Sequence, residues 1–378
     1  MKKKDYLKTT SSLIFIYMIE FMYIKNIYKI ILLTFIFFNW KLSLANEEFY
    51  NNNSELVIAF GSCNDQSRSQ LFWKNINSFN PDIFIMLGDN IYPELGGNII
   101  DKLSKAYDDL AKNKFYKDFS NSVPILAIWD DHDYGVNDGG ADFLEKDKSK
   151  KLFLNFFNLS NHKVLKNRKG LYREKLLIHN NKIIQIIMLD TRYFKSPFKI
   201  TDERGKIGKE RYVTDYDKSK TILGFEQWEW LEQKLSIDVD VRLIITSIQL
   251  IASDHGWEKW GNFPLELNKF YSYIENSNLS NTIILSGDRH IGGLYEQILV
   301  NKYKLIELTS SSLNKPLPFK SLEKDSKQLG SVINESNFGI IKINWEKEDI
   351  ILELRSSQKH FLAQKKPFIF KKLKLYNY

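Results

Sequence analysis

Five short apolar runs in the sequence are each followed by polar side chains that can bind metal ions or transfer protons. If these runs are strands of one α/β sheet, the polar side chains meet at one edge, because ligands bind beyond the carboxyl ends of the strands. Carboxylates in a shared cleft repel one another unless cations lie between them. The pattern therefore predicts a dinuclear metal centre, whose ions clamp substrate oxygens and lower the pKa of bound water. The five groups are Cys63-Asn64-Asp65, Asp89-Asn90 with Tyr92, Asp130-Asp131-His132-Asp133, Gln249, and Asp288 with His290.

Asp89 follows the apolar run that indicates a buried strand most clearly. Residues 84–87 are continuously apolar, as expected of a parallel strand covered on both faces. Gly88 allows the backbone to turn, which leaves Asp89 just past the strand end. Taken alone, Asp89 is better explained as a turn cap, but the recurrence of the same pattern favours a ligand role.

Strands and helices alternate along the rest of the chain, which predicts a single α/β domain over residues 54–378. The charged stretch 195–222 is expected to be a lid or a surface insertion, and 254–264 an aromatic loop. Strands are predicted at 56–60, 84–87, 123–128, 170–173, 182–189, 242–246, 282–285, 339–343 and 350–354, and helices at 69–78, 103–119, 148–158 and 224–235.

The N-terminal segment has the features of a signal peptide. An apolar run at 30–38 follows two lysines and precedes Ser43-Leu44-Ala45, a small-x-small cleavage site. Cleavage after Ala45 and an exported protein, periplasmic or secreted, are therefore expected. An uncleaved membrane anchor is the alternative. Residues 22–45 alone have all the parts of a signal peptide, so Met22 is an alternative start of the chain. Residues 46–53 are expected to be a short linker.

The charge balance does not indicate a nucleic-acid partner. The chain carries a formal net charge of +8, of which the seven lysines and two acids of residues 1–45 supply +5. The remaining +3 is small for a nucleic-acid-binding surface. Cys63 is the single cysteine, so the chain forms no internal disulfide, and an exported free thiol is expected to be buried, ligated or accidental. The sequence does not indicate an oligomeric state.

Six stretches carry motifs in a fixed order along the chain. They are 88–92 (GDNIY), 129–138 (WDDHDYGVND), 189–193 (LDTRY), 223–228 (LGFEQW), 258–264 (EKWGNFP) and 286–290 (SGDRH). Together they resemble the PhoD-like alkaline phosphatases, a family of the calcineurin-like metallophosphatase superfamily. The resemblance covers nearly all of the expected exported region. It implies a four-layer α/β/β/α sandwich, metal-dependent phosphoester hydrolysis and a phosphate ester as substrate.

The resemblance also implies a ligand set for ferric iron with calcium (Fe3+ and Ca2+), with other divalent metals as alternatives. Hard ferric iron suits phenolate and carboxylate, and calcium suits oxygen ligands. The implied ligands are Asp89 as the bridging carboxylate, Tyr92 and Cys63 at phenolate and thiolate positions, and Asp131, Asp288 and His290.

His132 resembles the family's substrate-facing imidazole. The expected reaction is attack of a metal-bound hydroxide on a phosphate mono- or diester, with His132 assisting the leaving oxygen and Asp133 orienting His132. Four further residues are candidates for substrate or outer contacts: Asn64, Asn137, Arg192 and Gln249. For Arg192 a structural ion pair is the alternative, and Gln249 stands where the superfamily commonly has a histidine ligand.

Two other functions are consistent with the same sequence. One is a phosphodiesterase or phospholipase-type enzyme on this fold, which a comparison of mono- and diester substrates distinguishes. The other is a non-catalytic module that binds a component of the cell envelope. The complete ligand set argues against the second, because a degenerate site typically loses residues such as Asp89 or His132.

Overall fold

The computed structural model describes residues 54–94, 96–277, 279, 281–317 and 324–357, with the backbone of 368–369. The expected signal peptide and the linker up to residue 53 lie outside the described residues. Apart from Leu176–Ile178, the described residues belong to one compact unit, Tyr50–Lys175 with His179–Tyr378. Within the described ranges, no helix has the length and apolar character needed to cross a membrane.

The first sheet has six strands in the order β15-β14-β13-β1-β2-β3. Its centre is parallel, with β1 beside β2 and β2 beside β3. The other strands are antiparallel, and β13 and β14, which correspond to the strands predicted at 339–343 and 350–354, pair as a hairpin. The strands are β1 Glu55–Gly61, β2 Ile83–Leu87, β3 Ile125–Ile128, β13 Asn337–Asn344, β14 Asp349–Ser356 and β15 Phe368–Ile369.

The second sheet has seven strands in the order β12-β10-β11-β9-β8-β5-β4. Here β5, β8, β9 and β11 run parallel, and β10 and β12 close one edge in antiparallel pairing. A two-stranded hairpin, β6 with β7, lies apart from both large sheets. The strands are β4 Arg173–His179, β5 Lys182–Met188, β6 Lys199–Ile200, β7 Tyr212–Val213, β8 Val241–Ile245, β9 Thr282–Ser286, β10 Gly292–Ile298, β11 Lys304–Ser310 and β12 Gln328–Ile333.

The helices connect the strands and cover the outer faces of the sheets. The second helix shows how the helices pack against the sheets. Its buried residues recur at helical spacing and form one apolar face: Leu103, Ala106, Tyr107 and Leu110. The Asn98 side chain caps the start of this helix by accepting a hydrogen bond from the Ile100 amide. The helices are α1 Phe72–Asn77, α2 Ile99–Lys112, α3 Lys114–Ser122, α4 Asp131–Tyr134, α5 Lys146–Phe156, α6 Gly224–Leu235 and α7 Pro264–Asn276, with a 3-10 turn at Trp260–Asn262.

Two separate apolar clusters show the layer order. Phe84 and Met86 of β2 belong to a cluster with α1, α2, α3 and α5. Ile244 of β8 belongs to a second cluster with α6 and α7. Ile85 and Leu87, which alternate with the first pair and so face the opposite side of the sheet, are fully buried as well. Each large sheet is therefore covered on both faces, and the fold is the expected four-layer α/β/β/α sandwich.

The structure corrects three expectations about the elements. The strands that carry the polar clusters belong to two sheets rather than one. The helix expected at 103–119 is two helices, because Asn113 is extended (φ −69°, ψ 123°) and its side chain caps α3 by accepting from the Phe115 amide. The strand expected at 170–173 begins only at Arg173. Strands β6, β7, β10, β11, β12 and β15 and helices α4 and α7 were not predicted.

Gly88, which follows β2, is expected to tolerate no side chain. Its φ is +103°, and an added Cβ would lie 2.5 Å from the Asp130 Cβ. For Gly88→Ala we expect the free energy of unfolding to fall by about 2–5 kcal/mol, from left-handed strain together with overpacking. Urea denaturation measures the change.

Gly96→Ala is the matched control for that variant. Gly96 also has a positive φ, +81°, but an added Cβ would meet nothing within 4 Å. Gly96→Ala should therefore show only the cost of the left-handed backbone and lose less stability than Gly88→Ala. Equal losses of stability in the two variants would contradict the proposed close packing of Gly88 against Asp130.

Candidate metal centre and active site

The candidate ligands stand in short turns directly after buried strands. Cys63 follows β1, Asp89 follows β2, and Asp288 and His290 follow β9. All four have left-handed backbone, with φ of 58°, 50°, 67° and 57°. Such conformations are costly for residues other than glycine and are concentrated at functional sites. The turns therefore hold these side chains in positions that an ordinary strand ending would not give.

Backbone hydrogen bonds join the ends of the two sheets beside these turns. The Ser62 amide donates to the Ser310 carbonyl at 3.1 Å, and the Leu313 amide donates to the Ser62 carbonyl at 2.9 Å. A Cβ on Gly287 would lie 2.6 Å from the Ser62 Oγ, so the turn after β9 approaches the turn after β1 closely. The polar clusters of both sheets consequently lie in one place.

The Asp89 carboxylate is buried at the centre of the group. Its Oδ2 accepts from the Tyr92 hydroxyl at 2.6 Å and lies 3.5 Å from the Cys63 Sγ. Its Oδ1 accepts from the His132 amide at 3.2 Å. Oδ2 thus faces two side chains and Oδ1 faces the backbone of the His132 turn, so the two oxygens are directed to different parts of the site, as a bridging ligand requires.

One set of donors consists of Cys63, Asp89 and His290, whose ligand atoms lie within 4.8 Å of one another. The Tyr92 hydroxyl is 3.4 Å from the His290 Nε2 and adds a phenol to the set. The His290 Nδ1–H donates to the Lys315 carbonyl at 2.5 Å, so Nε2 is the nitrogen that faces the other donors. Burial lowers the pKa of His290 to about 4, so the imidazole is neutral and able to ligate.

A second set of donors is made of oxygen atoms. Asp130, Asp131 and Asp288 offer oxygens within 4.8 Å of one another, and Asp131 also groups with Asp89 and His132. Burial and then the Asp130 carboxylate raise the pKa of Asp288 well above its usual value. The buried Asp131 Oδ1 and Asp130 Oδ2 have no hydrogen-bond partner in the described part of the chain.

These features fit two cations. The first set mixes thiolate, phenolate, imidazole and carboxylate, whereas the second is dominated by carboxylate oxygen, which suits a hard ion such as calcium. Asp89 belongs to a group in each set. The orphaned oxygens of Asp130 and Asp131 are explained if an ion is their partner, because a buried polar atom without a partner is costly.

The buried acids are expected to reduce the stability of the metal-stripped protein as the pH rises from about 4, the usual pKa of aspartate, toward 8. Burial and the Asp89 charge raise the pKa of Asp133, as burial and Asp130 do for Asp288, so the folded chain keeps protons that the unfolded chain has released. Stability then falls with rising pH, since the unfolded state binds fewer protons. The lowered pKa values of the buried His255 and His290 act in the opposite direction near neutral pH, so the contribution of the acids is taken from the difference between the wild type and Asp288→Asn. Thermal melts of chelated protein at several pH values measure the slope.

Added metal should reverse that loss most strongly at the upper end of the range. Ligand at about 100 times its Kd contributes about 2.7 kcal/mol. Asp288→Asn, which removes one protonated carboxyl, should flatten the slope of the stripped protein. Equal pH slopes in the stripped wild type and the stripped Asp288→Asn protein would contradict this electrostatic account.

His132 and Asp133 occupy the first turn of α4 but differ in their surroundings. The His132 side chain is 29% exposed, its ring centroid lies 4.1 Å from that of Tyr92, and its Nε2 is 4.0 Å from the Asp131 Oδ1. The buried Asp133 accepts from the amides of Asn90 and Asp130, both at 3.1 Å. No hydrogen bond between Asp133 and His132 occurs within the described ranges. Asp133 therefore fixes the backbone of the turn, a role different from the predicted one.

The four outer candidates lie in unlike environments. Asn64 is buried and donates to the Asn90 carbonyl at 3.2 Å, whereas Asn137 is exposed. Gln249 is buried, donates to Thr309 at 2.9 Å and lies 3.0 Å from the His255 Nε2.

Arg192 forms the structural ion pairs that were the alternative to substrate contact. Its guanidinium is fully buried, with Nε 2.5 Å from Asp130 and Nη2 2.6 Å from Glu258. Lys195, itself 1% exposed, adds a contact of 3.1 Å to Glu258. The network links three of the sequence motifs and leaves no part of Arg192 facing solvent.

Several residues that complete the site were not singled out from the sequence. Glu258 groups with Asp131 and Asp138, and its place within the 258–264 motif was the available signal. Lys315 has no motif, yet its Nζ lies 3.3 Å above the Tyr92 ring. Ser311 lies 3.1 Å from the Cys63 Sγ. These contacts join segments far apart in the chain, which local sequence patterns do not reveal.

Comparison with known proteins agrees with this architecture. A family profile described as PhoD-like phosphatase matches residues 58–350. The solved structure described as "Structure of PhoD" superposes with a TM-score of 0.58 at 16% identity, over 84% of this chain and 69% of that one. The structure described as GAP50, the anchor in the inner membrane complex of Plasmodium, gives 0.53 at 12% identity, over 85% and 90%. At such identities the likeness shows the fold alone. No curated protein matches the sequence.

Proposed function

Because the chain belongs to the PhoD-like phosphatase family, we propose that it hydrolyses a phosphate mono- or diester at a two-metal centre. The observation that carries the proposal is the buried Asp89 carboxylate, which faces Cys63 and Tyr92 with one oxygen and the His132 turn with the other. A carboxylate shared by two donor sets is what a pair of ions requires.

Ferric iron and calcium are the ions that the donor types support best. Cys63, Tyr92 and His290 would hold the first with Asp89, and Asp131 and Asp288 would hold the second with Asp89. When bound, the ions would polarise phosphoryl oxygens and lower the pKa of water.

The protein's own residues account for the remaining parts of the reaction. Burial and then the Asp89 carboxylate raise the pKa of Cys63 and of Tyr92 in the metal-free chain, so both give up protons on ligation. His132, partly exposed beside Tyr92, donates a proton to the leaving oxygen or a hydrogen bond to the phosphoryl group. Asp133 keeps the turn that carries His132 in place through the Asn90 and Asp130 amides.

The proposed location is outside the cytoplasm, periplasmic or secreted. The basis is the n-region, apolar run and small-x-small site that end at Ala45. Sequencing the N-terminus of the mature protein tests it: a chain that begins at residue 46 supports export, and one that begins at Met1 or Met22 contradicts cleavage.

Elemental analysis with a visible absorption spectrum, followed by assays on mono- and diester substrates, tests the proposed function. Iron with calcium, a charge-transfer band from Tyr92 or Cys63, and turnover of one ester class are expected. Zinc or manganese without colour would keep a hydrolase but contradict the ligand roles of Tyr92 and Cys63. A protein without stoichiometric metal or turnover, even after reconstitution, would overturn the proposal in favour of a binding module.

A further inference from the structure

We propose that Arg211 binds the phosphoryl group of the substrate, an inference that rests on the proposed phosphoester hydrolysis. Arg211 comes from the β6–β7 segment, outside the six motifs of the sequence. A binding role for Arg211 gives a function to the charged stretch 195–222, which supplies none of the proposed metal ligands.

The segment is held firmly against the site. The amides of Arg211 and Tyr212 donate to the Gly256 carbonyl at 2.9 and 2.7 Å, and the Glu210 carboxylate accepts from the Gly256 amide. A Cβ on Gly256 would lie 2.6 Å from the Lys209 Cα, so the two chain segments are in close contact. Gly256 is two residues before Glu258, which belongs to a donor group with Asp131. Arg211 is thus fixed at the rim of the metal centre.

The Arg211 side chain combines contact with the site and access to solvent. Its Nη1 bonds to the Asp138 Oδ2, while 32% of the side chain stays exposed. Arg192, the sequence-based candidate for phosphate contact, is fully buried and engaged with two carboxylates. Arg211 can therefore meet an incoming anion, and Arg192 cannot without breaking its buried pairs.

Asp138 does not depend on Arg211 alone. The Tyr212 hydroxyl donates to the same Asp138 Oδ2 at 2.7 Å. The Asp138 amide donates to the Asp131 Oδ2 at 2.8 Å, so its backbone position is set by the second donor group. When the guanidinium turns toward a phosphate, Asp138 keeps a hydrogen-bond donor and the metal ligands keep their geometry.

The surroundings also orient the guanidinium. Its carbon lies 5.2 Å from the centroid of the half-buried Trp257 ring, which supports one face by cation–π attraction. Burial opposes the charge, but the Asp138 and Asp288 carboxylates raise the pKa of Arg211, so the group is cationic and within the field of the second donor set. A planar guanidinium with free N–H groups is well suited to pairs of phosphoryl oxygens.

The test compares Arg211→Met and Arg211→Lys with Arg204→Met, a control at an exposed arginine of the same segment. Inorganic phosphate is the probe: its inhibition constant is measured with an aryl phosphate as substrate, together with KM, kcat and metal content. For Arg211→Met we expect the phosphate inhibition constant and KM to rise about 10- to 100-fold, the range for a lost charged hydrogen bond. Metal content should stay unchanged, and Arg211→Lys should recover part of the loss.

Two results would overturn the inference. One is an unchanged phosphate inhibition constant in Arg211→Met. The other is a fall in metal content that accompanies the rise, because Arg211 would then act by positioning Asp138. A wild-type protein that neither turns over phosphoesters nor binds phosphate would instead contradict the proposed function. If the wild type turns over phosphoesters and the phosphate inhibition constant is unchanged in Arg211→Met, only the role of Arg211 is contradicted.

Discussion

Asp89→Asn is expected to lose both bound metal and phosphoester hydrolysis. Asp89 is in one donor group with Cys63 and His290 and in another with Asp131 and His132. Asparagine keeps the size of the side chain but removes the charge that offsets two cations, and it replaces one acceptor oxygen with a donor. We expect turnover to fall at least about 10³-fold, at the upper end of losses when a stabilising group is removed from an active site. Metal analysis and ester hydrolysis measure the two losses.

The folded state should survive this substitution. Asp89 is surrounded by other carboxyl groups, so removing its charge relieves repulsion in the metal-free chain, and burial together with Asp89 is what raises the pKa of Asp133. The melting temperature of the stripped protein is therefore expected not to fall. Asp108→Asn, at an exposed position on α2, is the matched control and should retain metal and activity. An Asp89→Asn protein with full metal content would contradict the bridging role.

The parts of the fold that could be predicted were those whose signal is local. Residues 84–87 are apolar throughout because β2 is buried on both faces, and the structure has the strand at Ile83–Leu87. Helix α6 was predicted with its observed limits, Gly224–Leu235, because its apolar residues recur at helical spacing. By contrast, the break at Asn113 depends on a single side chain capping α3, and the continuous periodicity of 103–119 conceals it.

The same difference between local and distant signals applies to the residues of the candidate site. Strand-end positions such as Asp89 and Asp288 could be predicted, because a polar residue after a buried strand is visible in the sequence. The partners that hold these ligands could not, because Lys315, Ser311 and Glu258 approach from distant segments. Asp133 shows the limit clearly: its type and position suggested that it orients His132, but its oxygens bond to the Asn90 and Asp130 amides. Which neighbour a carboxylate contacts is decided by tertiary packing.

His132→Ala is expected to keep the metal ions and lose most of the turnover. The contact between residue 132 and Asp89 is made by the backbone amide, which alanine retains. The imidazole itself is 29% exposed and lies tilted beside the Tyr92 ring, so its removal leaves a gap at the substrate side rather than in the core. We expect kcat to fall by about 10²-fold or more, as for loss of a general acid. The loss should be smallest for esters with good leaving groups, which need least protonation.

The structure also allows a second role for His132, as a metal ligand, and the His132→Ala variant distinguishes the two roles. His132, Asp89 and Asp131 can bring ligand atoms within 4.8 Å of one another, so His132 could bind an ion instead of the substrate. Metal content separates the roles, since a ligand's removal lowers it and a general acid's removal does not. His162→Ala, at a half-buried histidine whose Nδ1 accepts from the Leu165 amide, is the control and should retain both metal and turnover. Full activity in His132→Ala would remove the proposed mechanism, and lost metal would make His132 a ligand.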